Sequence, residues 1–429
     1  MPNVETADQV GLDPPPAPIY VSSRCMEMPG VIEQSVYVVA AGESWPLPAK
    51  ISPPFVSKPY VWTNTENFVG IAPSGAASKV PPAPYSPELA WDSLPTFNDG
   101  LNASGLSIGA LWLEPGANYP RTSAAGGYEM SYLDFPAWVL GCCTSVEDIK
   151  AALLGEPASF TVVGPQPSNT DSFYVPLHYV ATDATGASVV VEFVGPASAK
   201  EGGETMIYDS TGVMTNAPEY GWHLTNVENY AHLSLVGAAT TKTGGGDGKP
   251  LVGGGLQGMP GDAQSASRFI KAWYMSQGFS QMQANGGYDA WLPAPGGAAP
   301  TNQDPAGFAY AEQTAVLTAV QLVQIAMGTP YGMLLDYQEI VPVTTPPTYS
   351  ATDLTFGDWT MWTSARDHTN IAYYFMSGLS GILTKIDVGA LFAGSQPLPT
   401  YPQNLTLPVL PQPDVDWCID ATRDLFSAP

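Results

Sequence analysis

Short apolar stretches bounded by Gly, Pro or Asn recur along this chain. Residues 35–41 (SVYVVAA), 60–63, 67–72, 106–113, 173–182 and 188–194 are rich in Val, Ile, Tyr and Phe. Runs of this length, punctuated by turn formers, read as β-strands. Residues 205–209, 352–364, 371–376 and 382–388 extend the series. Helical patterning is confined to three stretches. Residues 144–154 (TSVEDIKAALL) open with Thr144 and Glu147 at capping-box spacing and stop at Gly155. Residues 265–277 carry Arg268 near their first turn. Residues 309–327 (AYAEQTAVLTAVQLVQIAM) are apolar on most faces, which suggests burial between layers. Strands, then two helices, then strands again imply an α+β fold with an antiparallel core. Two long loops are expected, a glycine-rich one at 243–258 and a second at 278–307. The proline-rich stretch 395–413 should run extended over the surface. The expected organisation is therefore one domain over residues 1–395 and an extended tail over 396–429.

Composition narrows the partners. Apolar residues make up 45% of the 429 residues, enough for a sizeable core, and charged residues only 12%. The formal net charge is −25. No basic patch is available to neutralise phosphates, so nucleic-acid binding is excluded as a default. No apolar run reaches the ~18 residues of a membrane span. The first residues, MPNVETADQV, show no basic and no apolar segment of a signal peptide. The acidity is compatible with a periplasmic, extracellular or saline setting. The four Cys are too sparse for a disulfide scaffold.

Several motifs fail on inspection. TGGGDGKP at 243–250 resembles a phosphate loop, but Pro250 stands where Ser or Thr would meet Mg²⁺. The four His (178, 223, 232, 368) form no i, i+4 pair, so no zinc site is expected. No cofactor is expected either. What stands out is arginine. Only five occur: Arg24, Arg121, Arg268, Arg366 and Arg423. A guanidinium is a fixed fork of donors suited to holding a carboxylate or carbonyl. Arg24 and Arg268 are therefore site candidates, with a structural ion pair as the competing reading of each.

Four segments, in order, resemble the choloylglycine hydrolase and penicillin V acylase family of N-terminal-nucleophile (Ntn) hydrolases. They are Arg24-Cys25-Met26-Glu27; Gly100-Leu101-Asn102-Ala103-Ser104-Gly105-Leu106; Met214-Thr215-Asn216-Ala217-Pro218 followed by His223-Leu224-Thr225-Asn226; and Pro260-Gly261-Asp262 followed by Ser265-Ala266-Ser267-Arg268-Phe269. The resemblance implies a four-layer αββα sandwich of two antiparallel sheets. It also implies a nucleophile at a processed N-terminus, whose free α-amine serves as its own general base near neutral pH. Carried over, Asn216 is the oxyanion donor, Glu27 holds the amine, Arg24 sits beside the nucleophile and Arg268 orients the set. The family's nucleophile is Cys. Here, counting back from Arg24 lands in residues 6–8, where no Cys occurs, and alignment of Val10 and Leu12 places Thr6 at that position. Thr is admissible in this chemistry, but it needs its amine exposed. Trp112 stands where the family carries Asn or Tyr, and Trp112 and Asn102 are the expected substrate-contacting positions. The resemblance implies a hydrolase of linear amides: N-acyl, penicillin V-like or bile-salt-like. The alternative is an inactive member serving as a structural or assembly subunit. A homo-oligomer or larger assembly is expected, held by apolar contacts because cations are few.

Overall fold

The computed structural model describes residues 19–29, 34–45, 53–73, 96–123, 126–155, 158–167, 174–196, 198–234, 239–243, 250–252, 255–284, 358–377, 383–394, 404–406 and 418–420. Strands β1 (Val21–Pro29), β2 (Gln34–Val39), β3 (Ser44–Trp45), β4 (Trp62–Thr63) and β5 (Phe68–Pro73) lead. Then come β6 (Asp99–Asn102), β7 (Ser107–Trp112) and β8 (Glu129–Ser131), followed by α1 (Phe135–Cys142) and α2 (Val146–Leu154). After β9 (Thr161–Val163), β10 (Leu177–Thr182), β11 (Ser188–Val194) and β12 (Glu204–Asp209) comes α3 (Tyr220–Glu228). A ribbon of β13 (Ala239–Thr243) and β14 (Pro250–Val252) precedes α4 (Ser265–Ala284). The remainder is β15 (Asp358–Asp367), β16 (Ala372–Ser377), β17 (Leu383–Asp387), α5 (Val388–Ala393), β18 (Asn404–Thr406) and β19 (Cys418–Asp420).

Two sheets dominate. An eight-stranded sheet runs β12-β11-β10-β7-β6-β5-β2-β18, every pair antiparallel. A five-stranded sheet runs β1-β15-β16-β17-β19, antiparallel except for the last pair. Alternation along each strand sends side chains to opposite faces. On one face of the larger sheet, Tyr37, Phe68, Ile108, Tyr179, Val191 and Phe193 pack with α1 and α2 in the main core. On its other face, Val36, Val38, Val69, Ile71 and Leu101 meet Trp362, Tyr373, Phe375 and Ile386 of the smaller sheet. The smaller sheet leaves part of that inner face bare. There α3 and α4 close over Val180 and Val190 through Tyr220, Phe269 and Ala272. The α+β sandwich read from the sequence is thus borne out in its sheets and in the helix layer over the larger one. The apolar stretch 309–327 lies outside the described residues, as does Thr6.

Several elements differ from expectation, each for a local reason. The first cap is shifted by one residue. Ser145, not Thr144, accepts from the Asp148 N–H, and the Asp148 carboxylate accepts from the backbone of Thr144 and Ser145. Helix α4 continues through Ala284, so the loop expected from 278 begins later. Residues 285–357, which include 352–357 of the expected strand, lie outside the described residues. Helix α1 is almost wholly buried, and so short an apolar run carries no helical period. The stretch read as a surface tail supplies β18 and β19, one edge strand of each sheet. Pairing there satisfies backbone donors and acceptors that an open edge would expose.

One polar group sits in the seam between the sheets. Asp99 of β6 is completely buried. Its Oδ1 accepts from Arg366 Nε at 3.2 Å and from Tyr373 Oη at 2.7 Å, and its Oδ2 pairs with Arg366 Nη2. Ser364 Oγ donates to Oδ2 at 3.3 Å, and Arg24 Nη1 stands 3.6 Å away. Arg24, Ser364, Arg366 and Tyr373 all belong to the other sheet, so one carboxylate ties the two together. Removing it leaves two buried guanidiniums uncompensated. Asp99→Ala is expected to lower the unfolding free energy by about 3–5 kcal/mol, read as a fall in denaturant midpoint at unchanged slope. A loss under about 1 kcal/mol, the scale of an exposed pair, would contradict this account.

Candidate active site

β1 is the edge of the five-stranded sheet nearest α4, and its two faces carry different chemistry. Arg24 and Met26 point into the seam. Cys25 and Glu27 point the other way. A register shift between Met26 and Glu27 brings Thr360 opposite Glu27, and Thr360 Oγ1 donates to Glu27 Oε1 at 3.5 Å. The strand carried no apolar alternation in the sequence because polar groups occupy both faces.

Arg268 reaches Glu27 from α4. Its Nη1 lies 3.3 Å from Glu27 Oε2, and its Nη2 donates to Asn216 Oδ1 at 2.7 Å. One guanidinium therefore joins residues that are 241 and 52 positions away in sequence. Its fork matches this use, since a lysine ammonium would present no such planar pair of donors. Because Oδ1 of Asn216 is taken by Arg268, the Nδ2 amide is the end turned to other partners. The start of α4 is set by the Pro260-Gly261-Asp262 block. Asp262 accepts from Gln264 N at 2.9 Å and from Ser267 Oγ at 2.7 Å, holding the first turn that carries Arg268.

The backbone of Asn216 is fixed from two sides. Ser265 Oγ donates to Thr215 Oγ1 at 3.1 Å, and Thr215 Oγ1 donates to the Ser265 carbonyl at 3.1 Å. His223 Nε2 meets the Asn216 carbonyl at 2.8 Å. Ala217 N–H donates to the Trp112 carbonyl at 3.2 Å, which brings the end of β7 beside this turn.

Cys25 lies within the same cluster. Its pKa is pushed well above the ordinary thiol value, by burial first and then by the negative charge of nearby Glu27. Arg24, one residue earlier, goes elsewhere. Its Nη1 donates to the Asn98 carbonyl at 2.6 Å, and its guanidinium stacks over Trp362 at 5.4 Å. Burial lowers its pKa, and Asp99 acts in the opposite direction. The sequence candidates thus divide. Glu27, Asn216 and Arg268 are in direct contact. Arg24 adjoins them through the backbone while its charge serves the seam.

Asn102 is not part of this cluster. It is fully buried, donating to the carbonyls of Leu140 and Cys143 at 3.1 and 2.7 Å and accepting from Ser104 N and Leu106 N at 3.1 and 2.9 Å. The expectation that Asn102 contacts substrate is corrected here: all its polar capacity goes to the β6–β7 turn and the end of α1. Gly105, at φ +82°, completes that turn, and a Cβ there would lie 2.5 Å from the His368 carbonyl oxygen. The sequence reading missed Asp99, Arg366 and His223. Scarcity of Arg would have flagged Arg366; His223 stood within the third block without a role, and nothing in the local pattern singled out Asp99. Among the described residues, no group of three or more His, Cys, Asp or Glu is placed to hold a metal. Nor is any described helix long and apolar enough to cross a membrane.

Comparison with known proteins supports the resemblance read from the four blocks. Residues 88–287 match the family of linear amide C-N hydrolases, choloylglycine hydrolase family. The matched region holds Asn216 and Arg268. A bile salt hydrolase/transferase of Clostridium perfringens is 33% identical over 187 residues, 43% of this chain and 53% of that protein. The chain thus spans about half the length of the curated relatives it matches. In fold it resembles a variant of conjugated bile acid hydrolase from Clostridium perfringens, with a TM-score of 0.57 and 22% identity over 86% of this chain and 89% of that one. It also resembles a penicillin V acylase from Agrobacterium tumefaciens, with a TM-score of 0.51 and 18% identity over 86% and 82% of the two chains.

A thiolate, not a thiol, is the form that reacts with alkylating reagents. Cys25 in the folded protein is therefore expected to resist iodoacetamide at pH 8 under conditions that alkylate the unfolded chain completely. Peptide mass spectrometry checks this, and rapid folded-state labelling of Cys25 would contradict the burial described.

Proposed function

We propose that this chain, related through residues 88–287 to the choloylglycine hydrolase family of linear amide C–N hydrolases, itself cleaves linear amides from a processed N-terminus. The observation that carries the reading is the single guanidinium of Arg268 joining Glu27 and Asn216. In this reading Thr6 becomes the first residue. Its α-amine, held by Glu27, takes the proton from its own Oγ as that oxygen attacks the substrate carbonyl. The Nδ2 amide of Asn216 donates to the developing oxyanion. The amine product departs with the proton, and water then releases the acid from the acyl-enzyme. Arg268 holds Asn216 with its amide nitrogen turned toward the reacting carbon, and it balances the Glu27 charge. Arg24 anchors β1 through the seam. The substrate class is an N-acyl amide, penicillin V-like or bile-salt-like. Trp112, at the end of β7 beside Ala217, is the residue we expect at the pocket's rim.

A second reading follows from one sequence fact: residues 1–18 contain no Cys. In that reading the chain is an inactive relative that serves as a structural or assembly subunit. The two part on a direct measurement. Protein prepared to begin at Thr6 is expected to hydrolyse an N-acyl amide, and protein retaining residues 1–5 is not, because its amine is acylated. Losing a nucleophile–base unit removes acceleration on the order of 10⁶-fold. Within the active form, Asn216→Ala is expected to lower kcat by about 10²–10³-fold. No turnover by the Thr6 form, or equal turnover by both forms, would sink the proposal.

A further inference from the structure

His223 is completely buried on α3, and the proposed reaction makes no use of it. Its surroundings are unusually specific. Nε2 lies 2.8 Å from the Asn216 carbonyl oxygen. That oxygen can only accept, so Nε2 carries the hydrogen. Nδ1 is buried and has no hydrogen-bond partner among the described residues. A doubly protonated ring would strand an N–H there, and burial lowers the pKa accordingly. The ring is therefore neutral, with its one hydrogen directed at the Asn216 carbonyl at 2.8 Å and Thr215 Oγ1 farther off at 3.4 Å. Its plane is fixed as well. The imidazole stacks on Phe269 with ring centres 4.6 Å apart and planes 6° apart. Phe269 follows Arg268 on α4. The helix beneath His223 is anchored in turn, since Tyr220 N–H donates to both carboxylate oxygens of Glu192 at 2.9 and 3.1 Å. Glu192 is itself fully buried on β11 and paired with His178 Nδ1 at 2.9 Å.

We propose that His223 is a positioning residue for Asn216: it fixes the Asn216 backbone while Arg268 fixes the side chain, so that the Nδ2 amide is held where an oxyanion forms. The inference rests on the amidase reading for its kinetic consequence, but not for its geometry. Neither contact alone specifies the amide. Arg268 selects which end of it faces outward, and His223 sets the place from which it extends. Stacking on Phe269 ties both to α4, so the two supports move together.

The test compares three variants of the Thr6-initiated enzyme on an N-acyl amide. H223F keeps an aromatic ring for the stack and loses the donor. H223N retains an amide too short to reach the Asn216 carbonyl. H223Q places an amide nitrogen near the position of Nε2. H223F and H223N are expected to lower kcat about 10²-fold, the scale of a 1 Å misplacement at a reacting centre, with KM unchanged. H223Q is expected to restore most of that loss. The second readout does not need activity: the Asn216 side-chain amide resonance in asparagine-labelled protein, assigned by its disappearance in N216D. It is expected to shift and broaden in H223F and H223N and to return in H223Q. If H223F does not fold, H223N against H223Q decides the matter. Unchanged kcat in H223N, a change confined to KM, or an Asn216 resonance indifferent to all three variants overturns the proposal. If the unsubstituted Thr6 form shows no turnover, the amidase reading falls and the resonance alone decides the role of His223.

Discussion

A single buried carboxylate against two guanidiniums holds the two sheets in register. Asp99 belongs to the larger sheet, and Arg24 and Arg366 to the smaller one. In a seam otherwise lined by Val, Ile, Leu and aromatic rings, attraction between these groups is poorly screened, and its loss would leave charge without solvent. The consequence is directional. Once Arg24 is drawn into the seam, strand alternation obliges Cys25 and Glu27 to face the opposite side. That side is where Arg268 arrives from α4. The position of the candidate site is thus inherited from an interaction lying on the other face of the same strand.

The remaining supports form a chain of short, directional contacts. Glu192 holds the first turn of α3, α3 carries His223, His223 holds the Asn216 backbone, and Arg268 links Asn216 to Glu27. Each member is buried or half-buried, where an unmade hydrogen bond is costly. The cluster is assembled from β1, the 214–218 turn, α3 and α4, so no contiguous segment contains it.

What could be read from the sequence follows from these constraints. The strands of the main core were legible because the larger sheet is covered on both faces, so each strand reads as a short apolar run between turn formers. β1 was not, because its inward face includes Arg24 and its outward face Glu27. The Arg268 block was read by resemblance and by the rarity of Arg, and the helix start that Asp262 and Ser267 build emerged only in the structure. Arg24 was singled out by rarity as a site candidate, and the structure gives it the ion-pair role that was the competing reading. Asn102 illustrates the converse. An Asn in a Gly-x-Asn turn reads equally as a pocket residue or as a turn lock, and only the carbonyls of Leu140 and Cys143, far along the chain, decide for the lock. His223 was quoted within the third block but given no role, since a lone buried His declares none until its partners are known.

Gly109 on β7 extends the argument to lineage. A Cβ there would lie 3.0 Å from Arg24 Nη1, a tight contact, and 3.6 Å from Arg366 Nη2, an ordinary one, so a side chain at 109 would crowd the Arg24 guanidinium in particular. The order of genetic change then matters. A descendant that first loses Arg24 is free to acquire a side chain at 109 afterwards. One that first acquires the side chain must shift the Arg24 guanidinium beside Asp99 to make room for it. Positions 24 and 109 are therefore coupled: a guanidinium at one and a side chain at the other compete for the same space, and the order in which they change sets the cost of each step.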